Sequence, residues 1–128
     1  MTKRADVEGW LKRYAEAWRT GDAEAATALF TEDCKFRSHP FREPEDVREY
    51  TRRSFSEEEN VEPHFGQPVV EEDRAAVEYW AAMREDGFDL TLAGCIVMRF
   101  APDGRCAEMR DVWTTAPELL SPPPDWGK

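Results

Sequence analysis

The stretch Arg74–Thr115, RAAVEYWAAMREDGFDLTLAGCIVMRFAPDGRCAEMRDVWTT, decides the fold. It holds three strand-like runs, Arg74–Arg84, Phe88–Ala101 and Arg105–Thr115, separated by Asp86-Gly87 and Asp103-Gly104. Asp-Gly tolerates the positive φ that a tight hairpin needs, so the three runs predict an antiparallel meander. Runs of about 11 to 14 residues, against a usual 5–6, must twist and curve strongly. Gly94, in the middle of one run, is expected to mark a bulge or bend. Upstream, Val61–Val70 reads as a further strand, which Pro63 and Pro68 keep short or at a sheet edge. Glu57-Glu58-Glu59-Asn60 and Glu71-Glu72-Asp73 read as solvated acidic turns.

The residues before Glu57 carry a different period. Val7, Trp10, Leu11, Tyr14, Ala17 and Trp18 fall on one helical stripe, and Gly21 suits the left-handed residue that ends it. Asp22 caps a second predicted helix, Ala23 to about Phe30. A short extended piece, Cys34–Arg37, leads to His39, which Pro40 holds out of the helical region. Pro44 is expected to open a third helix that runs to about Phe55. The tail Ser121-Pro122-Pro123-Pro124 reads as a loose arm. Helices followed by a meander give an α+β domain over residues 1–118, its helices on one face of the sheet, and a Pro-rich tail over 119–128.

The chain has 128 residues, of which 41% are hydrophobic, enough for one domain with its own core. With 17 Lys and Arg against 27 Asp and Glu, its formal charge is −10. Such a chain repels phosphate backbones and anionic lipid, so neither nucleic acid nor membrane is expected as a partner. No run approaches the ~18 apolar residues of a membrane span. The N-terminal residues meet Asp6 before any apolar stretch, so no signal peptide is expected. Cys34, Cys95 and Cys106 are an odd, irregularly spaced set that reads as reduced thiols of a cytoplasmic protein. His39 and His64 have no matching cluster of acids or thiols, so no metal site is predicted, and no motif implies a cofactor.

Several words in this order resemble the nuclear-transport-factor-2-like superfamily, in its SnoaL-like, polyketide-cyclase-like branch. They are Tyr14-Ala15-Glu16-Ala17-Trp18, Gly21-Asp22 and Leu29-Phe30-Thr31-Glu32-Asp33 in the first half. Val77-Glu78-Tyr79-Trp80, Asp103-Gly104-Arg105 and Met109-Arg110-Asp111-Val112-Trp113 follow in the second. The resemblance implies a cystatin-like cone, with three N-terminal helices on a strongly curved, mostly antiparallel mixed sheet that encloses a cavity. It also implies a homodimer through the sheet face. It directs Asp111 and Trp113 of the last strand inward. Glu78 and Trp80 of the first long run are expected to join them.

Two carboxyl groups in an apolar pocket would be desolvated and would raise each other's pKa, which suits general acid/base work. Asp111 and Glu78 are therefore the catalytic candidates, with Tyr14 and His39 as donors, histidine being the side chain that titrates near neutrality. The expected ligand wall is Trp10, Trp18, Phe36, Trp80, Ile96, Met98 and Trp113, around a small apolar molecule. Among the superfamily's enzymes, the ketosteroid-isomerase pattern keeps only its helical Tyr, as Tyr14. Its base falls on Ser38 or His39 and its second acid near Ile96. The limonene-type epoxide hydrolase pattern puts acids at Glu78 and Asp111 but Ala76 where its Arg belongs. In the polyketide-cyclase pattern, Asp111 corresponds to the acid/base. The other reading is a non-catalytic binding or scaffolding module of the same fold.

Overall fold

The computed structural model describes residues 2–128. In chain order its elements are α1 (Arg4–Thr20), α2 (Ala23–Thr27), β1 (Phe30–Arg37), α3 (Val47–Glu57), β2 (Glu58–Phe65), β3 (Val69–Glu71), β4 (Arg74–Glu85), β5 (Phe88–Phe100) and β6 (Cys106–Ala116). The strands form one mixed sheet in the order β1-β6-β5-β4-β2, with β3 also on β4. All pairs are antiparallel except β1 with β6. This is an α+β cone whose sheet stays open. No helix among the described residues is long and apolar enough to cross a membrane.

The meander is built as its turns dictate. Asp86 and Gly87 both take positive φ, 50° and 84°, the pair of left-handed residues that a twisted hairpin accepts. Gly94 does not interrupt the register, which runs unbroken through Tyr79, Gly94 and Trp113. Its role is close approach instead: a Cβ there would lie 2.2 Å from the Val112 carbonyl oxygen. The β5–β6 ladder slips further along, between Arg99 and Phe100.

Five boundaries differ from where periodicity put them. The second helix stops at Thr27, because the Leu29 carbonyl is taken by the Cys106 N–H of β6 and by the Trp10 indole N–H of α1. β1 then begins at Phe30, four residues before the predicted extended piece. The third helix opens at Val47, not Pro44. Asp46 caps it by accepting from the Arg48 and Glu49 amides, while Glu45 bridges back to Phe36 of β1. The predicted strand over 61–70 divides into β2 and β3 around Gly66-Gln67-Pro68. Glu58 and Glu59 lie inside β2, not in a solvated turn.

The core lies between the helices and the concave face of the sheet. Rows of facing residues, Ala75–Met98–Met109, Val77–Ile96–Asp111 and Tyr79–Gly94–Trp113, cross β4, β5 and β6 on that side. Trp10 of α1 is buried and meets Tyr14, Phe30 and Phe100 ring to ring. The intervening residues, Glu78, Cys95 and Val112 or Trp80, Ala93 and Thr114, form the convex face.

The C-terminal tail is not a loose arm but lies across that convex face. The Thr91 hydroxyl donates to the Glu118 carbonyl and accepts from the Leu120 amide, and the Trp80 indole donates to the Leu120 carbonyl. Trp126 meets Trp80 edge-on at 5.2 Å. The Gln67 amide donates to the Gly127 carbonyl, beside a Gly66–Gly127 contact too close for any side chain.

Candidate active site

A cavity of about 570 Å³ opens between the concave sheet face, α1 and α3. Rings supply much of its wall: Tyr14 and Trp18 from α1, Phe36 from β1, Tyr50 from α3, Phe65 from β2 and Trp113 from β6. The volume is within the range of small-molecule sites, and beside the rings the lining carries, among the described residues, eight charged side chains, six of them carboxylates.

Asp111 is the acid inside it. It faces inward from β6 opposite Ile96, and the Tyr79 hydroxyl donates to its Oδ1 at 2.8 Å. Burial pushes the Asp111 carboxyl up to about 7, against the opposing pull of the Tyr79 hydrogen bond and the Arg42 charge. The carboxyl is therefore near half-protonated at neutral pH. Its other oxygen accepts no side-chain hydrogen bond among the described residues. Tyr79, buried and beside that acid, is held far above the ordinary phenol value and stays a donor. Tyr14 is likewise raised, first by burial and then by the negative charge of Asp111.

A second carboxyl lies in the wall, and it is Glu58. Burial raises it, while hydrogen bonds from Trp18 and Ser54 act the other way. The Trp18 indole donates to Oε1 at 2.7 Å and the Ser54 hydroxyl to Oε2 at 3.0 Å. Both oxygens are occupied, so Glu58 ties α1 to α3 and is not free like Asp111. Arg42, in the loop after β1, lies over the Trp113 ring, 5.3 Å from its centroid.

The structure brings together some of the predicted residues and separates others. Tyr14, Trp18, Phe36, Ile96, Asp111 and Trp113 line the cavity. Glu78 does not: it is exposed on the convex face, because strand alternation puts Val77 and Tyr79 inward. Trp80 shares that face and packs on the tail. Trp10 sits behind Tyr14 as buried packing, and Met98 is buried in the core row beside Met109; neither reaches the cavity. His39 stands outside, edge-on to Trp113 at 4.9 Å, with its Nδ1 accepting the Phe41 amide.

Tyr79, Tyr50, Phe65, Glu58 and Arg42 are among the cavity groups that sequence reasoning missed. One signal was present. On β4 the set Ala75, Val77, Tyr79, Ala81 and Met83 holds no charge, while Ala76, Glu78, Trp80, Ala82 and Arg84 holds two. The uncharged set is the buried one. Among the described residues no group of His, Cys, Asp and Glu is arranged to hold a metal ion.

The open α+β cone is the fold of a SnoaL-like domain. Residues 11–109 match the model of that family, and the chain belongs to it, within the nuclear-transport-factor-2-like superfamily. Two solved structures share the fold. One is SalBIII, an epoxide hydrolase/cyclase-like enzyme with a role in pyran ring formation in the polyether salinomycin. It is 19% identical, with TM-score 0.77, covering 89% of this chain and 95% of that one. The other is an LEH-like epoxide hydrolase from M. tuberculosis, 14% identical, with TM-score 0.72, covering 88% of this chain and 86% of that one. A comparison with curated proteins gives no match.

Proposed function

We propose that the cavity takes a small, largely apolar molecule and that Asp111 moves a proton on it, as an isomerase, cyclase, dehydratase or hydrolase requires. The observation that supports this is the Asp111 carboxyl, buried among rings, positioned by Tyr79 and raised to about 7. A group poised near the working pH serves as acid in one form and base in the other. Epoxide hydrolysis and pyran ring formation, for which the two similar structures are named, both need this. The acid form protonates an oxygen as its C–O bond breaks, and the base form takes the proton of an attacking hydroxyl or water.

A ligand that binds only the native state must raise the melting temperature. Small cyclic ethers, ketones and epoxides are expected to do so, with turnover of at least one and a loss of about 10²-fold or more in Asp111→Asn. A flat thermal response throughout, or turnover untouched in Asp111→Asn, would sink the reading. The alternative, a binding module without chemistry, is favoured by one observation: Glu58, the second interior acid, has both oxygens engaged. It predicts thermal shifts that persist without any turnover.

A further inference from the structure

Among the described residues, one cation at the cavity makes no ion pair. Among the described residues, two guanidinium groups line it, Arg42 and Arg53, together with Glu43, Glu45, Glu57, Glu58, Glu85 and Asp111. Arg53 is committed to Glu45, Nη2 to Oε1 at 3.0 Å. Arg42 makes no ion pair within 4.0 Å among the described residues, although carboxylates surround it. Something else fixes it. Its Nη1 donates to the Ser38 hydroxyl at 3.2 Å, and its guanidinium lies over Trp113. Ser38 is fully buried, and its hydroxyl in turn donates to Glu45 at 2.7 Å. The Ser38 carbonyl accepts the Trp113 indole N–H. The loop is thus fastened to Trp113 from two sides and holds the guanidinium at the mouth. Its charge reaches Asp111, Tyr50, Glu45 and Glu85.

A guanidinium carries five donors in a planar fork suited to an oxygen anion, and one Ser hydroxyl occupies few of them. Positioning before binding removes much of the ordering cost that a free surface Arg would bear. The geometry points to Arg42 as the specificity residue of the cavity, receiving an anionic oxygen of the ligand, a carboxylate or an enolate. This rests on the small-molecule reading above and names its substrate class: an apolar, ring-sized molecule that carries an anionic oxygen. Trp113, which seats Arg42, and Asp111 lie two residues apart on one strand face.

The test is equilibrium binding of 2-naphthoate, 2-naphthalenemethanol and 2-naphthylmethylammonium at about pH 6, where Asp111 is mostly protonated. Asp111 titrates there facing Tyr79 of β4, Tyr14 of α1, Tyr50 of α3 and Arg42 of the loop. Naphthoate is expected to bind about tenfold tighter than the alcohol, the gain of one charge-assisted contact. Arg42→Gln should abolish that preference and leave the alcohol's affinity within about twofold, and Arg42→Lys should keep part of it. Equal affinities in the wild type, a preference that survives Arg42→Gln, or a preference for the ammonium would overturn the assignment. Those results leave the cavity reading standing if the alcohol binds. Failure of all three to bind removes the cavity reading and this inference with it.

Discussion

The two faces of the sheet are made by the same strands, residue by alternate residue, and they have opposite characters. On the concave side, Tyr79, Ile96, Asp111 and Trp113 surround a void. On the convex side, Trp80 and Thr91 are covered by the chain's own last residues. Each face carries an acid on a strand. Asp111 is desolvated and stands near 7; Glu78 is exposed to water. Each face also carries tryptophans, Trp113 at the cavity and Trp80 against Trp126. Neither residue type marks a site by itself. What separates the faces is which atoms lie opposite: an unfilled cavity on one side, a docked tail on the other.

The largest expected effect tests how tightly the two sides are held together. A side chain at Gly94 would meet the backbone of β6, at 2.2 Å from the Val112 oxygen and 2.9 Å from the Trp113 Cα. Gly94→Val is therefore expected to lose roughly 3 kcal/mol or more in urea unfolding, since the β6 backbone, paired on both its edges, has nowhere to retreat. Gly66→Ala also meets backbone, 2.3 Å from the Gly127 Cα. There the tail can lift away, so about 1 kcal/mol is expected. Equal losses would mean that the tail is as firmly built in as β6.

Next comes the pH dependence written by Asp111. Its folded pKa, about 7, lies above the ordinary value of 3.8. Between these values the folded chain binds more protons than the unfolded one, so this group's contribution falls as pH rises from about 4 to about 7. The loss is on the order of 2–3 kcal/mol, after discounting for water that enters the cavity. Asp111→Asn should flatten that part of the stability profile, measured by denaturant unfolding across the pH range. An unchanged profile would place Asp111 in water like Glu78 and erase the contrast.

Much of this was legible in the amino-acid sequence. Asp86-Gly87 and Asp103-Gly104 set the meander, the stripe from Val7 to Trp18 set α1, and the family words set the cone. Asp111, Tyr14, Trp18, Phe36, Ile96 and Trp113 were on the right side of it. Glu78 was not, because the orientation of one strand was fixed by its acid and not by its uncharged alternate set. A one-residue change of phase exchanges every side chain of a strand between faces. Glu58 was hidden inside a run of three glutamates that reads as solvated surface, and only the folded chain sets the Trp18 indole and the Ser54 hydroxyl against it. The tail was misread for a related reason. Its prolines cannot enter a sheet, but the carbonyls of Leu120 and Glu118 before them accept from Trp80 and Thr91.

The convex face yields the two smaller effects. Removal of residues 119–128 takes away the Trp80–Leu120 bond and the Trp126 ring, and should cost about 1–2 kcal/mol. Binding of 2-naphthalenemethanol should stay unchanged, because the tail and the cavity lie on opposite sides of the sheet. A weakened affinity would show the faces to be coupled through the strands. Smallest of all is Glu78→Gln. Glu78 is exposed and makes none of the ion pairs found among the described residues, so its substitution should alter stability by less than about 0.5 kcal/mol. Asp111→Asn and Glu78→Gln each remove a carboxyl, from β6 and β4 on either side of β5. They should differ in stability profile, in ligand affinity and in any turnover found. If Glu78→Gln depresses turnover as Asp111→Asn does, the chemistry involves the convex face, and the cavity is not where the reaction occurs.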